Sequence, residues 1–172
     1  MTSNLTHIVA CNEDGIIGLN NSIPWKCSED MKHFKNVTTG RIVIMGKKTY
    51  DSIGKPLPDR HSIVLTRGTT RFSRGGLTFV NSIKEAYHIA YNLLGYKKDR
   101  IFVIGGGEIY EQTKNDINEI YLSKIKTNGY SMRGNVSVYP LSNLKNFYLM
   151  KTNRISDMCT VYVLKRKGII ND

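Results

Sequence analysis

Two short apolar runs in this chain end in glycine and pass straight into helix-type sequence. The first is Arg41-Ile42-Val43-Ile44-Met45-Gly46, followed by Lys47-Lys48-Thr49-Tyr50-Asp51-Ser52-Ile53. The second is Ile101-Phe102-Val103-Ile104, followed by Gly105-Gly106-Gly107 and then Glu108-Ile109-Tyr110-Glu111-Gln112. A continuous run of β-branched and apolar residues this short reads as a strand covered on both faces. Leu5–Cys11 and Ser62–Thr66 have the same character, and Ser82 opens a helix with apolar positions Ile83, Ala86, Tyr87, Ala90 and Leu94. Glu119–Ile125 reads as a further strand. Phe147–Lys151 and Thr160–Lys165 alternate apolar with polar residues and predict an antiparallel pair. Strands alternating with helices, then an antiparallel finish, predict an α/β fold. The expected architecture is one domain over residues 1–172, with a mostly parallel twisted sheet of about eight strands and about four flanking helices.

The glycine turns carry the first functional signal. A strand, then glycine, then a helix start is a ready anion site, because backbone N–H groups point outward. Lys47 and Lys48 add charge at one such turn. At the other, three glycines let a ligand approach the backbone closely. Neither turn is a standard nucleotide motif. The P-loop spacing fails at Gly40 and at Lys48, and Tyr110 stands where a dinucleotide fingerprint needs its third glycine. Thr66-Arg67 ends the third strand, and ligands of open α/β sheets bind at such ends; a solvated strand-end charge is the plainer reading of Arg67. Arg71 and Arg74 follow.

The second signal is the stretch from Gly18 to Phe34. Asn20-Asn21-Ser22 is a polar loop, Ile23-Pro24 a turn, and Ser28 the expected N-cap of a helix ending near Gly40. Asp30, Phe34 and Val37 share one helical stripe, with Met31 beside it. Glu29, Lys32, His33 and Asn36 form the opposite, outer one, so His33 is expected at the surface. A carboxylate on an apolar stripe is costly unless it is paired or protonated. It is either a capping group at a frayed turn or an acid at the edge of a pocket, with Trp25 as a wall.

These segments together resemble the dihydrofolate reductase family over nearly the whole chain. The resemblance rests on Ile16-Ile17-Gly18 with Pro24-Trp25 and Asp30; on Val43–Gly54; on Pro56-Leu57-Pro58-Asp59-Arg60; and on Val103–Tyr110. It implies reduction of 7,8-dihydrofolate to tetrahydrofolate by NADPH, with no metal. In catalysis it implies that Asp30 grips the pterin nitrogens, that the proton arrives through a water gated by the Ile23 loop and ordered by Trp25, and that Tyr110 lies near the nicotinamide and Asp30. For the substrate it implies Ile8, Val9, Ala10, Ile104 and Ser123 around the pterin, and Met31, Phe34, Ser52, Ile53 and Leu57 around the benzoyl group. Arg60 would meet the glutamate carboxylate. For the cofactor it implies Ala10, Ile17, Gly18, Leu19, Asn20, Asn21 and Ser22 over the nicotinamide. Gly46, Lys47, Lys48, Thr49, Leu65, Thr66 and Arg67 would meet the phosphates, with Ile104, Gly105, Gly106, Gly107, Glu108, Ile109 and Tyr110 beneath the cofactor. The basic strand end favours NADPH over NADH, since a 2′-phosphate needs cations.

Two other readings compete. One is the NADPH-dependent reductase of riboflavin synthesis, which Asp30 after Pro24-Trp25 argues against. The other is a non-catalytic basic paralogue that binds nucleic acid, suggested by a net charge of +11. Against it, the cations are dispersed, the nearest clusters being Lys47-Lys48, Lys97-Lys98 and Lys165-Arg166-Lys167, and no recognition-helix or aromatic RNA-binding signature is present. Cys11, Cys27 and Cys159 have no metal or disulfide spacing and read as reduced thiols. No apolar run is long enough to span a bilayer, and the polar start is unlike a signal peptide. A cytoplasmic monomer acting on a small molecule is expected, away from membranes and nucleic acid.

Overall fold

A computed structural model of the chain describes residues 4–20, 22–68, 72–93, 100–128 and 132–168. Asn21, Arg71, Leu94 and Lys97-Lys98 lie outside them. The elements run β1 (Leu5–Cys11), β2 (Ile16–Leu19), α1 (Ser28–Thr38), β3 (Ile42–Gly46), α2 (Lys47–Ile53), β4 (His61–Leu65), β5 (Phe72–Arg74) and β6 (Leu77–Val80). Then come α3 (Ile83–His88), continued by a π-helical turn over Ile89–Leu93, β7 (Ile101–Gly105), α4 (Gly107–Thr113), β8 (Glu119–Ile125) and β9 (Val136–Val138). A 3₁₀ segment (Leu141–Asn146) leads into β10 (Phe147–Arg154) and β11 (Cys159–Arg166).

Nine strands form one sheet in the order β10-β11-β8-β1-β7-β3-β4-β6-β5. The six from β8 to β6 are parallel to one another, while β11, β10 and β5 run antiparallel to their neighbours. The expected α/β architecture with an antiparallel C-terminal hairpin is therefore present, and the described residues form four α-helices, in line with the expected number. The extra strand is β5, three residues in what reads as a loop.

Alternate residues of the central strands feed two cores. Ile42, Ile44, Ile63, Ile101 and Val103 point to the face covered by α3 and α4; Val43, Met45, Val64 and Phe102 point to the face covered by α1 and α2. Each of these is at most 1% exposed. Burying such a side chain is worth about 1.5–3 kcal/mol, which fixes strand register, since a one-residue slip would exchange the two faces. A third cluster (Trp25, Cys27, Ile125, Cys159 and Val161) lies where the start of α1 meets β8 and β11.

β1 lies between β7 and β8, two strands from late in the chain. The order of connections reverses there, and the crevice beyond the carboxyl ends of such strands is where open α/β sheets take ligands. A separate two-stranded ribbon, β2 with β9, overhangs that crevice. Residues 126–139 read as a loop in sequence; β9 is the exception within it.

Candidate active site

The carboxyl ends of β1, β3, β4, β7 and β8, with α1 and the β2–β9 ribbon, enclose a cleft of about 1620 Å³. That is roomier than the usual small-ligand pocket of about 300–1,000 Å³.

The N-terminal half of α1 supplies its acid. Cys27, not Ser28, occupies the N-cap, its thiol directed to Glu29 Oε2 at 3.7 Å rather than capping a backbone N–H; Ser28 is the first helical residue and donates to the same Oε2 at 3.3 Å. Glu29 and Asp30 in the first turn suit the helix dipole, and the helix stops at Thr39 because the backbone turns extended before Gly40, whose φ is +76°. Asp30 faces inward, half-buried. Burial raises its pKa above the ordinary carboxylate value, while the Ser123 hydroxyl and His33 pull it partly back. The buried Cys159 thiol lies 4.0 Å from Asp30 Oδ1. This carboxyl can hold a cationic, donor-rich ring, and it accepts a proton more readily than a surface aspartate.

His33 is not on the outer face. One turn from Asp30, it packs half-buried with its ring 6.4 Å from that of Tyr121, and its Nε2 has no hydrogen-bond partner among the described residues. The inner stripe thus runs Asp30, His33, Phe34, Val37, with Met31 turned out and 67% exposed at the rim.

Phe34, Ile53, Leu57, Ile8 and Ile104 make an apolar wall beside Asp30, with Ser52 and Met31 at its edge. Arg60 stands at that edge. Its Nε donates to Pro58 O at 2.9 Å, its Nη1 to Thr38 Oγ1 at 3.1 Å, and its guanidinium lies 5.8 Å from the Phe34 ring. Those contacts aim the fork without using all five of its N–H groups. Lys32 and Lys35, unassigned from the sequence, line the same rim one helical turn apart.

At the opposite end lie Gly46, Lys47, Lys48 and Thr49, then Leu65, Thr66, Arg67, Gly68 and Asn81, then Gly105–Gly107, Glu108 and Ile109. Here the glycines are steric necessities. Gly105 has φ +119°, and a Cβ on it would lie 3.3 Å from the Tyr110 ring. A Cβ on Gly46 would lie 3.0 Å from Ile109. The Gly105–Gly106 peptide bond is cis. Helices α2 and α4 are only seven residues each, so their dipoles are weak and an anion placed here would meet mainly lysine, arginine and hydroxyl groups. Lys47 is ion-paired with Asp51. Arg67 Nη2 lies 3.3 Å from Glu108 Oε1.

Tyr110 forms the cleft's inner wall. Its hydroxyl donates to Ile8 O at 2.7 Å, tying α4 to β1, and burial holds the phenol well above its usual pKa. It positions rather than donates a proton near neutral pH. Val9 and Ala10 of β1 and Ser123 of β8 complete that wall, and Ile17, Gly18, Ser22 and Ile23 come from the overhanging loop. Ile23 is 64% exposed.

Three residues expected at the site do not line the cleft. Trp25 is buried in the cluster with Cys27, Cys159 and Val161, beneath rather than within the crevice. Leu19 and Asn20 hold the loop from outside: Leu19 pairs with Val136, and Asn20 exchanges hydrogen bonds with Asn135 of 2.8 and 3.1 Å. Asn21 lies outside the described residues. Ser137 and Val138 of β9 line the cleft unanticipated, because three consecutive exposed residues carry no periodic signal.

Comparison with known proteins agrees with this architecture. A sequence model of the family described as dihydrofolate reductase matches residues 4–166. A dihydrofolate reductase of Staphylococcus aureus (strain N315) is 34% identical over 122 residues, 71% of each chain. One of Buchnera aphidicola subsp. Baizongia pistaciae (strain Bp) is 39% identical over 123 residues, covering 72% of this chain and 71% of its own. Among solved structures, a dihydrofolate reductase from Enterococcus faecalis, complexed with NADP(H) and RAB-propyl, superposes with a TM-score of 0.79 over 95% of this chain and 96% of its own, at 23% identity. That last likeness is one of fold; with the family match over nearly the whole length, it leads to a single conclusion: this chain belongs to the dihydrofolate reductase family.

Proposed function

We propose that this protein reduces 7,8-dihydrofolate to tetrahydrofolate with NADPH, supporting one-carbon metabolism and thymidylate synthesis. The observation that carries the reading is Asp30: a half-buried carboxyl with a raised pKa, on the wall of a cleft that also opens onto two glycine-marked strand ends.

The cleft fits the cofactor. A Cβ on Gly106 would meet Thr49 Oγ1 at 3.4 Å, so the gap between the glycine turn and α2 is one that a side chain would fill. Lys48, Thr49, Thr66 and Arg67 would take its phosphates, and Ile17, Gly18, Ala10 and Tyr110 would border its ring. When bound, NADPH supplies the hydride. Ionised Asp30 pairs with two coplanar N–H groups of the pterin and favours the protonated, more electrophilic substrate. Phe34, Ile53 and Leu57 exclude water from the benzoyl arm, and Arg60 takes the glutamate carboxylate in a two-pronged contact. Trp25 acts from beneath, supporting the segment that carries Asp30 rather than touching substrate. Ile23, exposed at the mouth, closes over the reacting rings.

We also propose that residues 1–172 act as one domain and as a cytoplasmic monomer without nucleic acid. No described helix is long and apolar enough to cross a membrane, and Cys11, Cys27 and Cys159 are free and buried thiols, in keeping with a reducing compartment. The test is direct. Purified protein should consume NADPH only when dihydrofolate is supplied, and tetrahydrofolate should be the product by mass spectrometry. Consumption independent of dihydrofolate would reject the assignment.

A further inference from the structure

The cofactor half of the cleft contains a charge of the wrong sign. Glu108, the second residue of α4, reaches across the mouth to Arg67, which follows β4, with 3.3 Å between Oε1 and Nη2. Both side chains are largely exposed, at 68% and 93%, so the pair adds little to folding. Its place matters more than its strength. Arg67 is the cation at the end of the third parallel strand, where a dinucleotide's adenosine ribose would lie.

We propose that Glu108 sets the cofactor selectivity of this protein by competing with the 2′-phosphate of NADPH for Arg67. This rests on the reading that Arg67 takes that phosphate. A phosphate monoester carries nearly two negative charges at neutral pH. To reach Arg67 it must displace the Glu108 carboxylate and then remain beside it. NADH has a hydroxyl in place of the phosphate and meets no such repulsion; an adjacent carboxylate can accept a hydrogen bond from that hydroxyl. Glu108 therefore weakens NADPH without weakening NADH, and the preference for NADPH is narrower than the basic surroundings alone would give. Lys47, the other cation of this turn, is itself paired with Asp51.

Calorimetric titration separates the claims without relying on turnover. The probes are adenosine 2′,5′-bisphosphate and adenosine 5′-monophosphate, and the proteins are wild type, Glu108→Gln, Arg67→Gln and the double variant, all at low salt. Glu108→Gln should raise the monophosphate-to-bisphosphate Kd ratio, which measures preference for the 2′-phosphate, by about 2- to 10-fold, a gain that shrinks as salt is raised. Arg67→Gln should reduce the ratio, and in that background Glu108→Gln should gain less, since only direct repulsion is then relieved. If Arg67→Gln reduces the ratio but Glu108→Gln leaves it unchanged, the competition is overturned and the Arg67 reading survives. If Arg67→Gln leaves the ratio unchanged, the Arg67 reading fails and the competition with it.

Discussion

At the scale of the residue, the site is a contrast between groups held and groups left free to bind. Tyr110, Trp25 and Cys159 are buried and committed to the protein; Asp30 and Arg60 are half-buried and keep hydrogen-bonding capacity toward the cleft. Asp30 was legible from sequence because an acid on an apolar stripe breaks a pattern. His33 was misread because helical spacing alone cannot say how wide the buried stripe is, and here it widens to meet Tyr121. Arg60→Ala should raise the KM for dihydrofolate by about 10- to 100-fold, as expected for losing a charge-assisted hydrogen bond, with little change in NADPH affinity. Initial rates at varied substrate measure this; an unchanged KM would remove Arg60 from the substrate arm. Cys159→Ala removes the thiol beside Asp30 Oδ1, and Cys159→Ser puts a stronger donor there. The pH midpoint of turnover should move up in the first and down in the second, whereas simple packing damage would move both alike.

At the scale of the element, the strand–glycine–helix units were the readable part, since continuous apolar runs and glycine stops are local signals. What could not be read was β9, whose three residues are exposed and which exists only because β2 pairs with it. Its partnership explains why Leu19 and Asn20 brace the loop instead of lining the cleft. The glycine turn after β7 is where an element's geometry and the site coincide. Gly105→Ala would force a Cβ into a φ of +119° and against the Tyr110 ring. We expect a loss of about 1–3 kcal/mol, or roughly 3–10 °C in Tm for a chain of this size, together with weakened NADPH binding. A thermal melt within a degree of wild type would show that the turn tolerates a side chain and that its glycine is not needed.

For the whole molecule, stability and charge follow from what the core buries. His7, at 0% exposed, lies between Tyr139 Oη at 2.8 Å from Nδ1 and Thr113 Oγ1 at 2.7 Å from Nε2. Thr113 donates its own hydrogen to Ile109 O at 2.8 Å, so Nε2–H must donate to Thr113, and Nδ1 accepts from Tyr139. This neutral ring joins β1, α4 and the segment after β9. Burial, helped by the Arg166 charge, lowers its pKa to about 3, against 6.5 for an ordinary histidine. As pH falls from 6.5 toward 3, the unfolded chain takes up a proton that the folded chain refuses, so stability is lost across that window at up to about 1.4 kcal/mol per pH unit. His33 and His61 shift in the same direction and add to the slope. Urea midpoints at pH 6.5 and pH 4.5 should therefore fall further apart for wild type than for His7→Asn, even though the variant is less stable at both. The distributed positive charge, +11 overall, acts at the same scale as a field that speeds the arrival of anionic ligands, an effect that salt should diminish.

The central claim is that Asp30 makes dihydrofolate a better hydride acceptor, and the pre-steady-state rate of NADPH oxidation on mixing with dihydrofolate, followed across pH for wild type and Asp30→Asn, tests it most directly. The variant should be slower by about 10²-fold or more near neutral pH and should recover partly as the medium supplies the proton at lower pH, while its NADPH affinity stays within a few-fold of wild type. A variant that transfers hydride at the wild-type rate near neutral pH would contradict the account.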